Sequence, residues 1–128
     1  MNTEEYNELS NTIIKACIEV HKNLGPGLLE SVYEICLAKE FDRSEIKYQR
    51  QLYLPVIYKD EQLDANFRID FLVEDKIVVE LKAIEFVLPV HEVQLLTYLR
   101  LADKRLGLLI NFHEDKLVKG IKRKVNNF

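Results

Sequence analysis

The amino-acid sequence predicts an α/β fold, a mixed β-sheet flanked by helices. Three observations carry that reading. Apolar residues recur at helical spacing over residues 3–23 and again from about Leu28 to Phe41. From Ile46 the period changes to two, as in half-buried strands. Two continuous apolar runs, residues 76–84 and 106–112, flank a helical pattern at 91–103, the order of a βαβ crossover with parallel strands and right-handed connection.

Each element has a local cause. Ile13, Ile14, Cys17, His21 and Leu24 fall on one face of the first helix. "GPG" at 25–27 ends it, because Gly25 suits a positive-φ cap and Pro26 cannot continue the hydrogen-bond ladder. In the second helix Leu29, Val32, Cys36 and Leu37 are apolar. "YQRQLYLPVIY" and "EQLDANF", joined through the polar "KDE", predict two strands of a meander, and "RIDFLV" and "KIVVELKAI" a further hairpin. Pro89 marks the boundary before "HEVQLLTYLRLAD", whose Leu95, Leu99 and Ala102 share a face. "LGLLINF" fits a fully buried strand. The expected order is ααββββαβ with a short element after it, in one domain spanning residues 1–128.

Composition narrows the function classes. A 48% hydrophobic and 30% charged chain is ordinary for a globular protein. No apolar run reaches the ~18–20 residues of a membrane span, and "MNTEEYNELSN" lacks the basic and apolar regions of a secretory leader. Cys17 and Cys36 have neither CxxC spacing nor paired histidines, so each is expected to be a buried free thiol in the cytoplasm. There is no phosphate-binding glycine loop, no GxGxxG and no GxSxG. His21 is expected to be a satisfied packing residue. The net charge of −3 hides an asymmetry: "KLVKGIKRKVNNF" has five basic residues and no acid, leaving 13 basic against 21 acidic elsewhere. That end, with Lys122 and Arg123, is either a phosphate-contacting edge or a solvated tail.

The chemistry concentrates in "RIDFLV" and "IVVELKAI", where Asp70, Glu80 and Lys82 interrupt strands that otherwise look buried. Burying such charges costs several kcal/mol unless a partner compensates. A three-residue loop at 74–76 pairs Val73 with Ile77 and opposes Asp70 to Glu80 and Arg68 to Lys82. A two-residue loop opposes Asp70 to Val79 and turns the two carboxylates to opposite faces. The apolar pattern admits both. Under the first register the acids repel, and a divalent cation between them removes the conflict, with hard oxygen ligands suiting Mg²⁺. The bland alternative is an edge hairpin whose charges are solvated or pair with one another. Two further features stand beside this trio. Glu30 and Tyr33, in G-x-x-E-x-x-Y, lie one turn apart at a helix start that favours an anion. Gln94 and Tyr98, with His91, form a stripe expected to face away from Leu95 and Leu99.

Taken in order, G-x-x-E-x-x-Y, I-D, E-L-K and Q-x-x-x-Y resemble the GxxExxY family within the PD-(D/E)xK nuclease-like superfamily, over nearly the whole chain. The resemblance implies a restriction-endonuclease-like core in which Asp70 stands for the D of the PD element, Ile69 replacing the Pro, and Glu80 and Lys82 for the (D/E)xK element. It further implies Mg²⁺ or Mn²⁺ held by Asp70, Glu80, the Leu81 carbonyl and Glu30, the last directly or through water. Lys82 is then expected to orient the attacking water and to be a candidate proton acceptor. Gln94, Tyr98 and Tyr33 are expected to position phosphate or water, and Arg68, Lys122 and Arg123 to contact a nucleic-acid backbone. The expected activity is phosphodiester hydrolysis in nucleic acid, DNA favoured over RNA, without a membrane, by a homodimer or a chain delivered by a partner protein. The alternatives are a non-catalytic nucleic-acid- or protein-binding module on the same fold, and hydrolysis of a small phosphodiester.

Overall fold

The computed structural model describes residues 1–128. Helix α1 spans Thr3–Leu24; its N-cap Asn2 side chain accepts the Glu5 N–H at 2.9 Å. It stops at Gly25, whose φ of 70° and the 96° of Gly27 are open to glycine at no steric cost. Helix α2 spans Glu30–Arg43, two residues later than the periodicity suggests at its start. Tyr33 closes the turn between them. Its hydroxyl donates to the Gly25 carbonyl at 2.6 Å and accepts from the Leu28 N–H at 3.1 Å.

Strands β1 (Tyr48–Tyr58) and β2 (Glu61–Val73) form a long hairpin around Lys59 and Asp60, both at positive φ as a two-residue turn of this type requires. "EQLDANF" and "RIDFLV" are therefore one strand, which corrects the expected count. No turn-forming pair separates them, and an eleven-residue β1 pairs with both ends of β2, from Tyr48↔Val73 to Tyr58↔Glu61, with a register shift between Pro55 and Ile57. Strand β3 spans Ile77–Lys82, helix α3 Pro89–Ala102 and strand β4 Leu106–Asn111, with β3 and β4 parallel as the crossover predicts. The expected C-terminal element is strand β5, Ile121–Val125, reached through a 3-10 turn at Leu117–Gly120 and antiparallel to β4. The observed order is ααβββαββ, and the sheet runs β1-β2-β3-β4-β5.

Two apolar layers explain why the central strands read as unbroken hydrophobic runs. On one face Phe71, Val79, Leu81 and Leu108 meet Ile13, Cys17, Leu37 and Phe41 of α1 and α2. On the other, Leu72, Val78 and Leu109 meet Leu95 and Leu99 of α3. Gly107 lets α3 close on β4: a Cβ there would stand 2.8 Å from Leu95 Cδ1. Buried Asn111 ties down the segment leaving β3, donating to the Ile84 carbonyl at 2.9 Å and accepting the Ile84 N–H at 3.1 Å. His21 is a packing residue, as expected, with Nε2 2.7 Å from the Glu114 carbonyl. Cys17 is buried, its thiol pushed up to about 12 by desolvation, whereas Cys36 is only half-buried. No helix is long and apolar enough to cross a membrane.

Candidate active site

The register question resolves at the loop. Val73 pairs with Ile77, Leu72 with Val78 and Phe71 with Val79, so the next step opposes Asp70 to Glu80. That step is where regular pairing ends, and side chains take over the backbone groups. The Asp70 carboxylate accepts the Leu81 N–H at 2.8 Å, and the Glu80 carboxyl accepts the Asp70 N–H at 3.3 Å. Both acids are nearly enclosed, 5% and 7% exposed. The β1 side opens at the same level. Arg50 pairs with Phe71 and Leu52 with Ile69, while Gln51 between them, opposite Asp70, sits at φ 52°. Ile69 accordingly packs on the α3 face although Phe71, two residues on, packs on the α1/α2 face. A regular strand would put both on one side.

Charge at this opening is concentrated and poorly neutralised. Desolvation first, then the neighbouring Asp70 charge and a hydrogen bond to it, push Glu80 up to about 10, so the protein alone holds a proton there at neutral pH. Glu30, at the first residue of α2, is raised as well. Burial is the main cause and Asp70 the next, with Lys82 and Arg68 opposing. Tyr98 is raised by desolvation and then by Glu80 and Asp70. These mutual influences assemble Glu30, Arg68, Asp70, Glu80, Lys82 and Tyr98 into one neighbourhood drawn from α2, β2, β3 and α3. Lys82 and Arg68 form no ion pair there, so their cationic heads remain available to an anionic ligand.

Other predicted residues stand elsewhere or do other work. Tyr98 does not face away from Leu95 and Leu99. It is 8% exposed, belongs to the same apolar cluster and lies 5.9 Å from the Phe67 ring, because α3 is apolar on more than one side. Gln94 is exposed and makes no side-chain hydrogen bond. His91 is a cap: its Nδ1 accepts the Leu88 N–H at 2.9 Å. Tyr33 is fully buried, stacked on Phe112 at 4.4 Å, and its hydroxyl is spent on the GPG turn rather than on phosphate or water. The basic end does not form one edge. Alternation along β5 sends Arg123 to the α1 side, 3.3 Å from Asn7 Oδ1 and over the Phe128 ring. Lys122 faces a shallow cavity with Glu85 and Phe86, and Lys124 pairs with Glu92 at 2.7 Å.

Three residues escaped the sequence reading. Glu34, 8% exposed, receives Arg50 Nη2 at 2.7 Å and Gln51 Nε2 on its two oxygens. Glu34 follows Glu30 by four residues on the same helix face, which is the one signal that could have flagged it.

No three His, Cys, Asp or Glu side chains converge closely enough to hold a metal ion as a group. The pair Asp70 and Glu80 nonetheless suits a hard divalent cation: two carboxyls crowded together at an energetic cost that a double positive charge reverses. Lys82 O accepts from Phe112 N, one residue past the end of β4, so the Leu81 carbonyl before it is turned toward β2 and Asp70. A family model described as the PD-(D/E)XK nuclease superfamily matches residues 7–124. No curated protein and no solved structure matches the chain.

Proposed function

Since the chain belongs to the PD-(D/E)XK nuclease superfamily, we propose that it is a divalent-metal-dependent nuclease of the GxxExxY type, acting on DNA in preference to RNA. The carrying observation is the shared opening of β2 and β3, where Asp70 and Glu80 exchange side-chain hydrogen bonds for ladder bonds beside an unpaired Lys82. In this reading Asp70, Glu80 and the Leu81 carbonyl would hold Mg²⁺ or Mn²⁺, with Glu30 joining directly or through water. The cation supplies Lewis acidity and a readily ionised water. Lys82 orients the attacking water and offsets charge accumulating on the phosphoryl oxygens. Arg68 holds a neighbouring phosphate, and the Tyr98 hydroxyl braces the reacting group. Gln94 and Lys122 are assigned to the periphery of the bound strand. Two free cysteines suit a reducing, cytoplasmic setting.

The acidic body is a weak electrostatic platform for nucleic acid. A second copy or a partner protein is the natural source of additional phosphate contacts. One observation favours a second reading, a non-catalytic binding module: no third carboxylate converges on the pair. Calorimetric titration with Mg²⁺ and Mn²⁺, beside cleavage of supercoiled, linear, single-stranded and branched DNA and of RNA, separates the two. The nuclease reading expects binding and metal-dependent cleavage that Glu80→Ala abolishes. Absence of metal binding, or cleavage unchanged in Glu80→Ala, rejects it.

A further inference from the structure

In a regular strand adjacent side chains point to opposite faces. Arg50 and Gln51 are adjacent on β1, yet both donate to the one carboxylate of Glu34 on α2. The left-handed backbone of Gln51, φ 52°, turns its side chain to the helix side. That residue lies directly across from Asp70. Left-handed conformation is uncommon outside glycine and persists only where surrounding contacts hold it. Here the holding contact is the buried Glu34 carboxylate, one helical turn beyond Glu30.

We infer that Glu34, Arg50 and Gln51 form a positioning clamp that keeps Gln51 from pairing with Asp70 and fixes the Glu30 end of α2 against the acid pair. With Gln51 in the ordinary extended conformation, β1 would pair normally beside Asp70 and pull β2 straight. The switch of faces between Ile69 and Phe71, which accompanies the reach of the Asp70 carboxylate to the Leu81 N–H, would then be lost. None of the three touches the reacting atoms, so their effect passes through Asp70 and Glu30. The inference rests on the metal-site reading above.

The test compares wild type with Glu34→Gln, Gln51→Gly and Glu30→Gln by Mn²⁺ calorimetry, thermal melting and steady-state cleavage. Gln51→Gly permits the positive φ at no steric cost but removes the amide donor that enforces it, so it keeps the test open should Glu34→Gln fail to fold. The expected result is an Mn²⁺ affinity lowered roughly tenfold in folded Gln51→Gly and Glu34→Gln, comparable to outer-shell substitutions elsewhere. The cleavage loss is expected in kcat rather than KM, and Glu30→Gln should weaken Mn²⁺ binding in the same direction. A purely structural clamp would lower the melting temperature and leave affinity and kcat of the folded protein at wild-type values, which overturns the inference. Failure of the wild type itself to bind Mn²⁺ overturns the metal-site reading, and that outcome is visible without any variant.

Discussion

Glu80→Gln offers the sharpest test of the acid pair, because it replaces the carboxyl with a neutral group of the same shape. Burial and Asp70 push Glu80 from its ordinary 4.5 up to about 10. Between those values the folded state binds a proton that the unfolded state has released. Stability contributed by the group is complete below 4.5 and is lost as pH rises toward 10. One proton of difference costs the fold about 1.4 kcal/mol per pH unit. From pH 6 to 8 the loss is about 3 kcal/mol, or roughly 10 °C in melting temperature for a domain of this size. Glu30 is also raised, so its contribution has the same sign. In chelator, thermal melts of the wild type should therefore fall steeply across pH 6–8. Glu80→Gln should melt higher at pH 8 and lose most of the slope. Saturating Mg²⁺ should flatten the wild-type curve, since a cation favours the ionised form. Parallel wild-type and Glu80→Gln curves over that range would refute the buried-acid argument.

Three further outcomes follow from particular contacts. Lys82→Met should reduce cleavage by at least ~100-fold while Mg²⁺ affinity measured calorimetrically changes little, because Lys82 forms no ion pair in the protein and its task is with water and phosphate. Tyr33→Phe removes the donor to Gly25 and the acceptor for Leu28; chemical denaturation should show a loss of about 1–3 kcal/mol with the aromatic stack on Phe112 intact. Gly107→Ala drives a methyl into Leu95 and should cost about 1–3 kcal/mol by the same measurement, partly relieved by Leu95→Ala in the double variant.

Much of the molecule follows from short-range chemistry readable along the chain. Asn2, the GPG turn and Pro89 delimit helices because capping, positive φ and the missing proline N–H act within a few residues. The β3–α3–β4 run declares a parallel pair because its strands are apolar on both faces. Asp70, Glu80 and Lys82 stand out because charge inside such runs demands compensation. The unbroken length of β2 was harder to read, since nothing within "ANFR" announces whether the chain turns or continues; a long partner strand answers that.

Contacts distant in sequence account for what the pattern left open. The loop at 74–76 admitted two registers with opposite consequences for the acids, and packing of alternating residues against α1 and α2 on one side and α3 on the other selects one. Tyr98 turned inward because the α3 face of the sheet needed covering near Phe67. Glu34, Arg50 and Gln51 meet only when a helix lies across an edge strand, and no local rule assigns Gln51 a left-handed backbone. Local propensities act over a turn or a hairpin, so they define elements and mark unusual residues. Which of those residues face one another depends on burying apolar surface across the whole chain, a competition that is won only in three dimensions.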